Sequence, residues 1–120
     1  MRPLFDLSPQ ISSSFDPGSS IVWHHGDVST LLESIPDGTV KLVVTSPPYN
    51  VGKEYETRTS IQEYLARQSK IIKDLVRVVA PDGSICWQVG NYVEKGEVYP
   101  LDIYYYGIFP PPSTVWARQQ

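Results

Sequence analysis

The tripeptide Pro-Asp-Gly occurs twice, at residues 36–38 and 81–83, and each time it separates two different hydrophobic patterns. Before each copy, apolar residues recur at helical spacing, and after each copy comes a short apolar run of strand length. Proline and glycine in such turns end one element and allow the next to begin. Strands that alternate with helices favour right-handed βαβ crossovers. The sequence therefore predicts an α/β fold, a parallel sheet with flanking helices.

Short elements are predicted on both sides of the first Pro-Asp-Gly. A strand is predicted at 21–25, followed by a helix near Val28–Ile35 with Asp27 as its N-cap. The run Val40–Thr45 is largely apolar, which is typical of a parallel strand covered on both faces.

The second helix has the clearest pattern. Ser60 and Glu63 form a capping box at its start. Behind them runs an apolar stripe in which Gln68 is the only gap. The stripe consists of Ile61, Tyr64, Leu65, Ile71, Ile72, Leu75, Val76 and Val79. A strand is predicted at Ser84–Val89 and a third helix within Tyr99–Phe109.

With 120 residues, the chain has room for one small domain. Residues 1–20 are rich in Ser and Pro and are expected to be a flexible N-terminal arm, so that regular structure begins at Ile21. The α/β domain is expected over 21–109. An irregular C-terminal tail is expected over 110–120.

Composition excludes several classes of protein. A formal charge of −3 argues against a strongly basic nucleic-acid module, and no apolar run reaches the roughly 18 residues of a membrane span.

The single cysteine, Cys86, cannot form an internal disulfide, so we expect a cytoplasmic protein. The Cys86 side chain is expected to be buried, because it lies in a predicted strand among apolar residues. His24 and His25 are adjacent in a predicted strand and point to opposite faces, so no metal site is expected.

The most informative segment is Thr-Ser-Pro-Pro-Tyr-Asn at residues 45–50, at the end of a predicted buried strand. Ligands of open parallel sheets bind beyond the carboxyl ends of the strands. Two consecutive prolines fix the backbone there and remove two amide donors. Rigid carbonyl acceptors, the Ser46 hydroxyl and the flat ring of Tyr49 suit a planar ligand that carries an amino group, such as a nucleobase.

These six residues resemble the catalytic motif of the DNA amino-methyltransferases, which use S-adenosylmethionine to methylate N4 of cytosine or N6 of adenine. The family pattern is Asp, Asn or Ser, then Pro-Pro, then an aromatic residue. The neighbouring residues also resemble the family sequence. They are Gly-Asp at 26–27, Pro-Asp-Gly-Thr-Val-Lys-Leu-Val-Val at 36–44 and Asn-Val-Gly-Lys-Glu-Tyr at 50–55. The resemblance covers roughly Ile21 to Phe109 and so concerns the N-terminal, catalytic-motif part of the family.

The resemblance implies catalytic roles for Ser46, Pro47, Pro48 and Tyr49. The Ser46 side chain and the Pro47 carbonyl would accept both N–H groups of the target amine, at the rigid corner that Pro48 completes. Tyr49 would stack on a base flipped out of double-stranded DNA. Transfer of the methyl group would be direct.

The resemblance also implies a cofactor site, to which Asp27, Thr45 and Asn50 would contribute. The family binds S-adenosylmethionine through a Phe-x-Gly-x-Gly turn, yet no two glycines of this chain lie two residues apart. We therefore expect a partial Rossmann-like methyltransferase fold, from a truncated reading frame or one half of a split enzyme. Its partner would be a complementary subunit or a missing C-terminal half.

Several alternatives stay open. Ser46 favours cytosine N4 only slightly over adenine N6, and Asp27 serves equally well as a simple helix cap. Two other functions compete: a catalytically inert fragment that binds DNA or a partner subunit, and an amino-group methyltransferase for RNA or protein. In the last class Asn would be more usual than Ser before the two prolines.

Overall fold

The computed structural model describes residues 8–50 and 59–110. Over these ranges the chain forms three short sheets and three helices. The strands are β1 (Ile11–Ser12), β2 (Ile21–Val22), β3 (Val40–Thr45), β4 (Val79–Trp87), β5 (Asn91–Glu94) and β6 (Glu97–Pro100). The helices are α1 (Val28–Ser34), α2 (Ile61–Val78) and α3 (Leu101–Ile108). The predicted mixture of helices with parallel strands is confirmed.

The central sheet pairs β3 with β4 in parallel, joined through α2. Val40 pairs with Val79 but Leu42 pairs with Ser84, so β4 carries extra residues around its Pro-Asp-Gly turn. The strand therefore begins earlier than the predicted Ser84. Glycine is required at position 83 because a Cβ there would lie 2.8 Å from the Val40 carbonyl oxygen.

Both predicted helix starts are confirmed. The Asp27 carboxylate accepts a hydrogen bond from the Ser29 amide at 2.8 Å, and Ser60 and Glu63 form the capping box at the start of α2. These contacts satisfy amide donors that have no partner inside the helix. The two helices pack together through Leu32, Leu75 and Val78, which are buried against β3.

A β-hairpin that the sequence pattern does not predict precedes the third helix. β5 and β6 are antiparallel and meet at Lys95 and Gly96, which both have positive φ, at 50° and 82°. Such two-residue turns are most readily identified from Asn-Gly or Asp-Gly, and Lys-Gly is a weaker signal. The hairpin and α3 bury the second core cluster against α2. That cluster consists of Tyr64, Ile72, Tyr92, Leu101, Tyr105 and Phe109.

One face of β3 is open, which corrects the prediction of a strand covered on both faces. Leu42 is 57% exposed and Val44 is 73% exposed, whereas Val40 and Val43 pack against the helices. Cys86, predicted to be buried, is a free, exposed thiol. It pairs with Val44 in the sheet register, so it shares the exposure of its neighbour.

Regular structure also begins earlier than Ile21. β1 lies within the predicted arm and pairs in parallel with β2, and the main-chain amide of Trp23 bonds to the Ser12 carbonyl oxygen at 2.7 Å. The strand predicted at 21–25 shortens to two residues. Residues 1–7, 51–58 and 111–120 lie outside the described chain, and with them most of the predicted C-terminal tail.

None of the helices in the described ranges has the length and apolar character needed to cross a membrane.

Candidate active site at the end of strand β3

The Ser-Pro-Pro-Tyr segment lies directly after β3 and beside a cavity of about 340 Å³. Ser46 and Pro48 are exposed, Tyr49 is half-buried and Pro47 is buried. Thr45, Ser46, Pro47 and Pro48 all line the cavity, whose remaining walls come from α1, β3, α2 and β4. These walls consist of Val28, Val43, Val44, Gln68, Ile71, Leu75 and Trp87. Five of the predicted site residues therefore lie at one open strand end, because Tyr49 follows Pro48 directly.

The hydroxyl oxygens of Ser46 and Tyr49 are hydrogen-bonded at 2.9 Å. The Tyr49 ring reaches this position because Gly90, just beyond β4, lies beneath it. A Cβ added at Gly90 would lie 3.0 Å from two ring carbons of Tyr49. The end of one strand thus sets the position of an aromatic ring at the end of the neighbouring strand.

A pair of buried tyrosines supports the loop from below. The Tyr64 hydroxyl donates a hydrogen bond to the Pro48 carbonyl oxygen at 2.6 Å, and the hydroxyls of Tyr64 and Tyr105 are 2.6 Å apart. Since the carbonyl oxygen can only accept, the Tyr64 proton is used there and Tyr105 donates to Tyr64. Burial is the main cause that raises the pKa of the Tyr105 phenol far above its ordinary value. These two hydrogen bonds, from Tyr105 to Tyr64 and from Tyr64 to Pro48, connect α3 and α2 to the loop.

Asn50 closes the loop at its far end. It is 2% exposed, has a positive φ of 60°, and both polar atoms of its amide bond to the main chain of Thr59. Asn tolerates this left-handed conformation better than most residues. Its side chain therefore joins the two ends of the segment that connects β3 to α2. It is absent from the residues that line the cavity.

Asp27 lies at the start of α1, next to the cavity-lining Val28. Its pKa is lowered chiefly by the hydrogen bond from the Ser29 amide, and also by the Ser29 hydroxyl and by the positive charge of Lys70. The carboxylate is exposed and ionised at neutral pH. The cap role is confirmed, and the carboxylate is available to a hydrogen-bond donor in solvent.

Gln68 is the residue at this site that sequence reasoning missed. It is 8% exposed, and its amide oxygen has no hydrogen-bond partner among the described residues. It lines the cavity together with Ser46 and Pro47. The signal was present in the sequence, because Gln68 interrupts an otherwise apolar stripe. Within 8–50 and 59–110, no group of three His, Cys, Asp or Glu side chains is placed to hold a metal ion.

The chain is similar in sequence to known DNA methyltransferases. The model of a family described as DNA methylase matches residues 40–116. The chain is 44% identical over 120 residues to the type II methyltransferase M.BglII of Bacillus subtilis, covering 94% of this chain and 33% of that protein. It is 35% identical over 101 residues to the type II methyltransferase M.ScaI of Streptomyces caespitosus, covering 82% of this chain and 33% of that protein.

A solved structure is similar as well. It is that of the PvuII DNA methyltransferase (cytosine-N4-specific), with a TM-score of 0.56 and 30% sequence identity. The match covers 83% of this chain and 34% of the other. The chain thus spans about one third of the length of the relatives that it matches.

Proposed function

We propose that this chain, which belongs to the DNA methylase family, supplies the target-base site of a methyltransferase that acts on an exocyclic amino group of DNA. The observation that carries the proposal is the exposed Ser46 hydroxyl on a rigid diproline corner, beside an open cavity and an aromatic ring. A site for a base needs accessible acceptors and a flat apolar face, and the exposed Ser46 and the half-buried ring of Tyr49 provide these.

The chemistry assigned to this corner is orientation of a weak nucleophile. The lone pair of an aromatic amine is delocalised into the ring, and acceptors on both N–H groups favour a pyramidal nitrogen whose lone pair is directed at the methyl donor. We assign these acceptors to the Ser46 hydroxyl and the Pro47 carbonyl. The proton that the nitrogen loses on alkylation is released to water, since this corner is exposed to solvent at Ser46. Pro48 keeps the corner rigid.

Tyr49 is assigned to stacking on the flipped base. Base–aromatic stacking is worth about 1–3 kcal/mol per base, which offsets much of the few kcal/mol lost when a base leaves the duplex. Tyr49→Ala should therefore weaken base binding by roughly five- to a hundred-fold. Equal methyl transfer by this variant and the parent protein, each completed with the other two thirds of the enzyme, would remove Tyr49 from the site.

The methyl donor proposed is S-adenosylmethionine. When bound, it supplies a methyl group whose bond to sulfur breaks with both electrons left on the sulfur. The described residues fit it in part: Asp27 offers an exposed, ionised acceptor, and Thr45 lines the cavity beside Ser46. Asn50 is also proposed for this site, in addition to its bonds with Thr59. The sequence lacks the glycine-rich turn, so we expect titration calorimetry of the chain alone to show no binding, and micromolar affinity would contradict this.

Cytosine N4 is the favoured target. Serine before the prolines favours it slightly, and the similar solved structure is that of a cytosine-N4-specific enzyme. The proposed partner is double-stranded DNA, in the cytoplasm.

The second proposed partner is the polypeptide that corresponds to the other two thirds of the relatives. The open face of β3, with Leu42 and Val44 exposed, supports this because a sheet face of that character is normally covered. A complementation assay tests the whole proposal. The full chain is combined with the part of M.BglII outside the matched third, duplex DNA and methyl-labelled S-adenosylmethionine, and the DNA is then digested to nucleosides. N4-methylcytosine should form with both polypeptides present and be lost with Ser46→Ala. Absence of any methylated base in the mixture would contradict the proposal.

A further inference from the structure

The hydrogen bond between Ser46 and Tyr49 joins two groups that can each donate or accept. Their oxygens are 2.9 Å apart, and geometry alone permits either direction. A serine hydroxyl carries one donor and two acceptor lone pairs, and its hydrogen rotates to suit its surroundings. Tyr49 is the hydrogen-bond partner that the structure gives Ser46.

This ambiguity matters for an amine-binding site. A carboxylate in the place of Ser46 would only accept, whereas a serine hydroxyl whose own hydrogen is free can donate. Such a hydrogen would compete for the lone pair of the target amine, or would bind a keto oxygen in place of an amino group. The serine site therefore needs a second group that takes up the hydroxyl hydrogen.

We propose that in the base complex Ser46 donates its hydrogen to the Tyr49 oxygen, so that Ser46 presents only lone pairs and selects amino-bearing bases over keto-bearing ones. This inference rests on the proposed function. The hydrogen bonds then run in one direction, from the amine to Ser46 and from Ser46 to Tyr49, and bonds in such a chain polarise and strengthen each other. Tyr49 acts here as a positioning residue through its hydroxyl, in addition to the stacking role of its ring.

The surroundings of the pair fix this geometry. Gly90 leaves room for the ring at the distance that brings the two oxygens together. The prolines at 47 and 48 contribute no amide donor that could compete for the Ser46 oxygen. The Tyr64 hydroxyl donates to the Pro48 carbonyl oxygen and so anchors the loop next to the pair.

The test compares binding of short single strands, which avoids the cost of base flipping. The probes are oligodeoxycytidine against oligodeoxyuridine, and oligodeoxyadenosine against oligodeoxyinosine; within each pair an amino group is replaced by a keto group. Fluorescence anisotropy with the full chain measures each dissociation constant. The parent protein should prefer the amino member of at least one pair by roughly two- to ten-fold, the value of one hydrogen bond.

Tyr49→Phe keeps the ring and removes the hydroxyl. The ratio of the dissociation constants of the keto and amino probes should therefore fall towards one, because binding of the keto probe improves. Ser46→Asp combined with Tyr49→Phe is the matched control, since a carboxylate accepts without help and the preference should return. A merely structural role of the Tyr49 hydroxyl would weaken both members of a pair equally.

An unchanged preference in Tyr49→Phe would overturn this inference and leave the proposed function intact. Binding with no amino preference in the parent protein, or no binding at all, would overturn it as well. The proposed function is judged separately, by methyl incorporation in the complementation assay.

Discussion

The Tyr64 hydroxyl lies 2.6 Å from the Pro48 carbonyl oxygen and donates a hydrogen bond to it. Tyr64 is the first buried residue of α2, and Pro48 is the second proline of the candidate active-site corner. Through this bond, helix α2 holds in place the loop that directly follows β3. The conformation of the corner is therefore coupled to the packing of the core.

Tyr64→Phe tests this coupling. It leaves the Pro48 carbonyl and the buried Tyr105 hydroxyl without their partner, so the free energy of unfolding should fall by about 1–3 kcal/mol. Urea denaturation measures the loss. Tyr104→Phe, at an exposed position of α3, is the matched control and should change little. Equal stability of the two variants would show that the Tyr64 hydroxyl does not hold the loop.

Gly90→Ala tests the support of the Tyr49 ring. The added methyl group would lie 3.0 Å from two ring carbons, so the ring must move, and the free energy of unfolding should fall by about 1 kcal/mol. Gly107→Ala is the control, because nothing lies within 4 Å of its added carbon and alanine favours the helix α3. The ring resonances of Tyr49 should shift in the first variant and stay in place in the second. Unshifted resonances in Gly90→Ala would mean that the ring rests elsewhere.

Leu42→Ala and Leu75→Ala compare the two sides of the central sheet. Leu75 is 6% exposed between α2 and β3, and its truncation should cost about 2–5 kcal/mol. Leu42 is 57% exposed on the open face, and the same truncation should cost about 0.5 kcal/mol or less. Thermal or urea unfolding distinguishes them. A large loss in Leu42→Ala would mean that the open face is covered in solution, for example by a second copy of the chain.

The Asp27 cap predicts a pH dependence. The pKa of Asp27 is lowered from its ordinary value of 3.8 by the Ser29 hydrogen bonds, so the folded chain binds fewer protons at this site than the unfolded chain. Its stabilising contribution is full above 3.8 and is lost as the pH falls through the lower folded-state pKa. A carboxyl-carbon NMR titration measures this value. Ser29→Ala removes the weaker, side-chain hydrogen bond and should bring the pKa part of the way back, whereas an unshifted Asp27 in the parent protein would contradict the assigned cause.

Much of this fold could be predicted because its signals are local. The capping box at Ser60, the Asp27 cap and the run Val40–Thr45 each depend on residues a few positions apart, and each is present as predicted. The hairpin at 91–100 was missed because Lys95, rather than Asn or Asp, takes the positive φ before Gly96. The open face of β3 was missed because an apolar run does not reveal whether anything covers it.

The sequence by itself determined the order of the elements from β2 to β4, the position of the Ser-Pro-Pro-Tyr corner and its likeness to the DNA methylases, since these depend on neighbouring residues. Only the tertiary structure decided what surrounds the corner. Gly90 lies 41 positions beyond Tyr49, and Tyr105 lies 41 positions beyond Tyr64. Contacts over such separations form only when β4 pairs with β3 and α3 packs against α2. Loop closure and burial, rather than local propensity, bring those residues together.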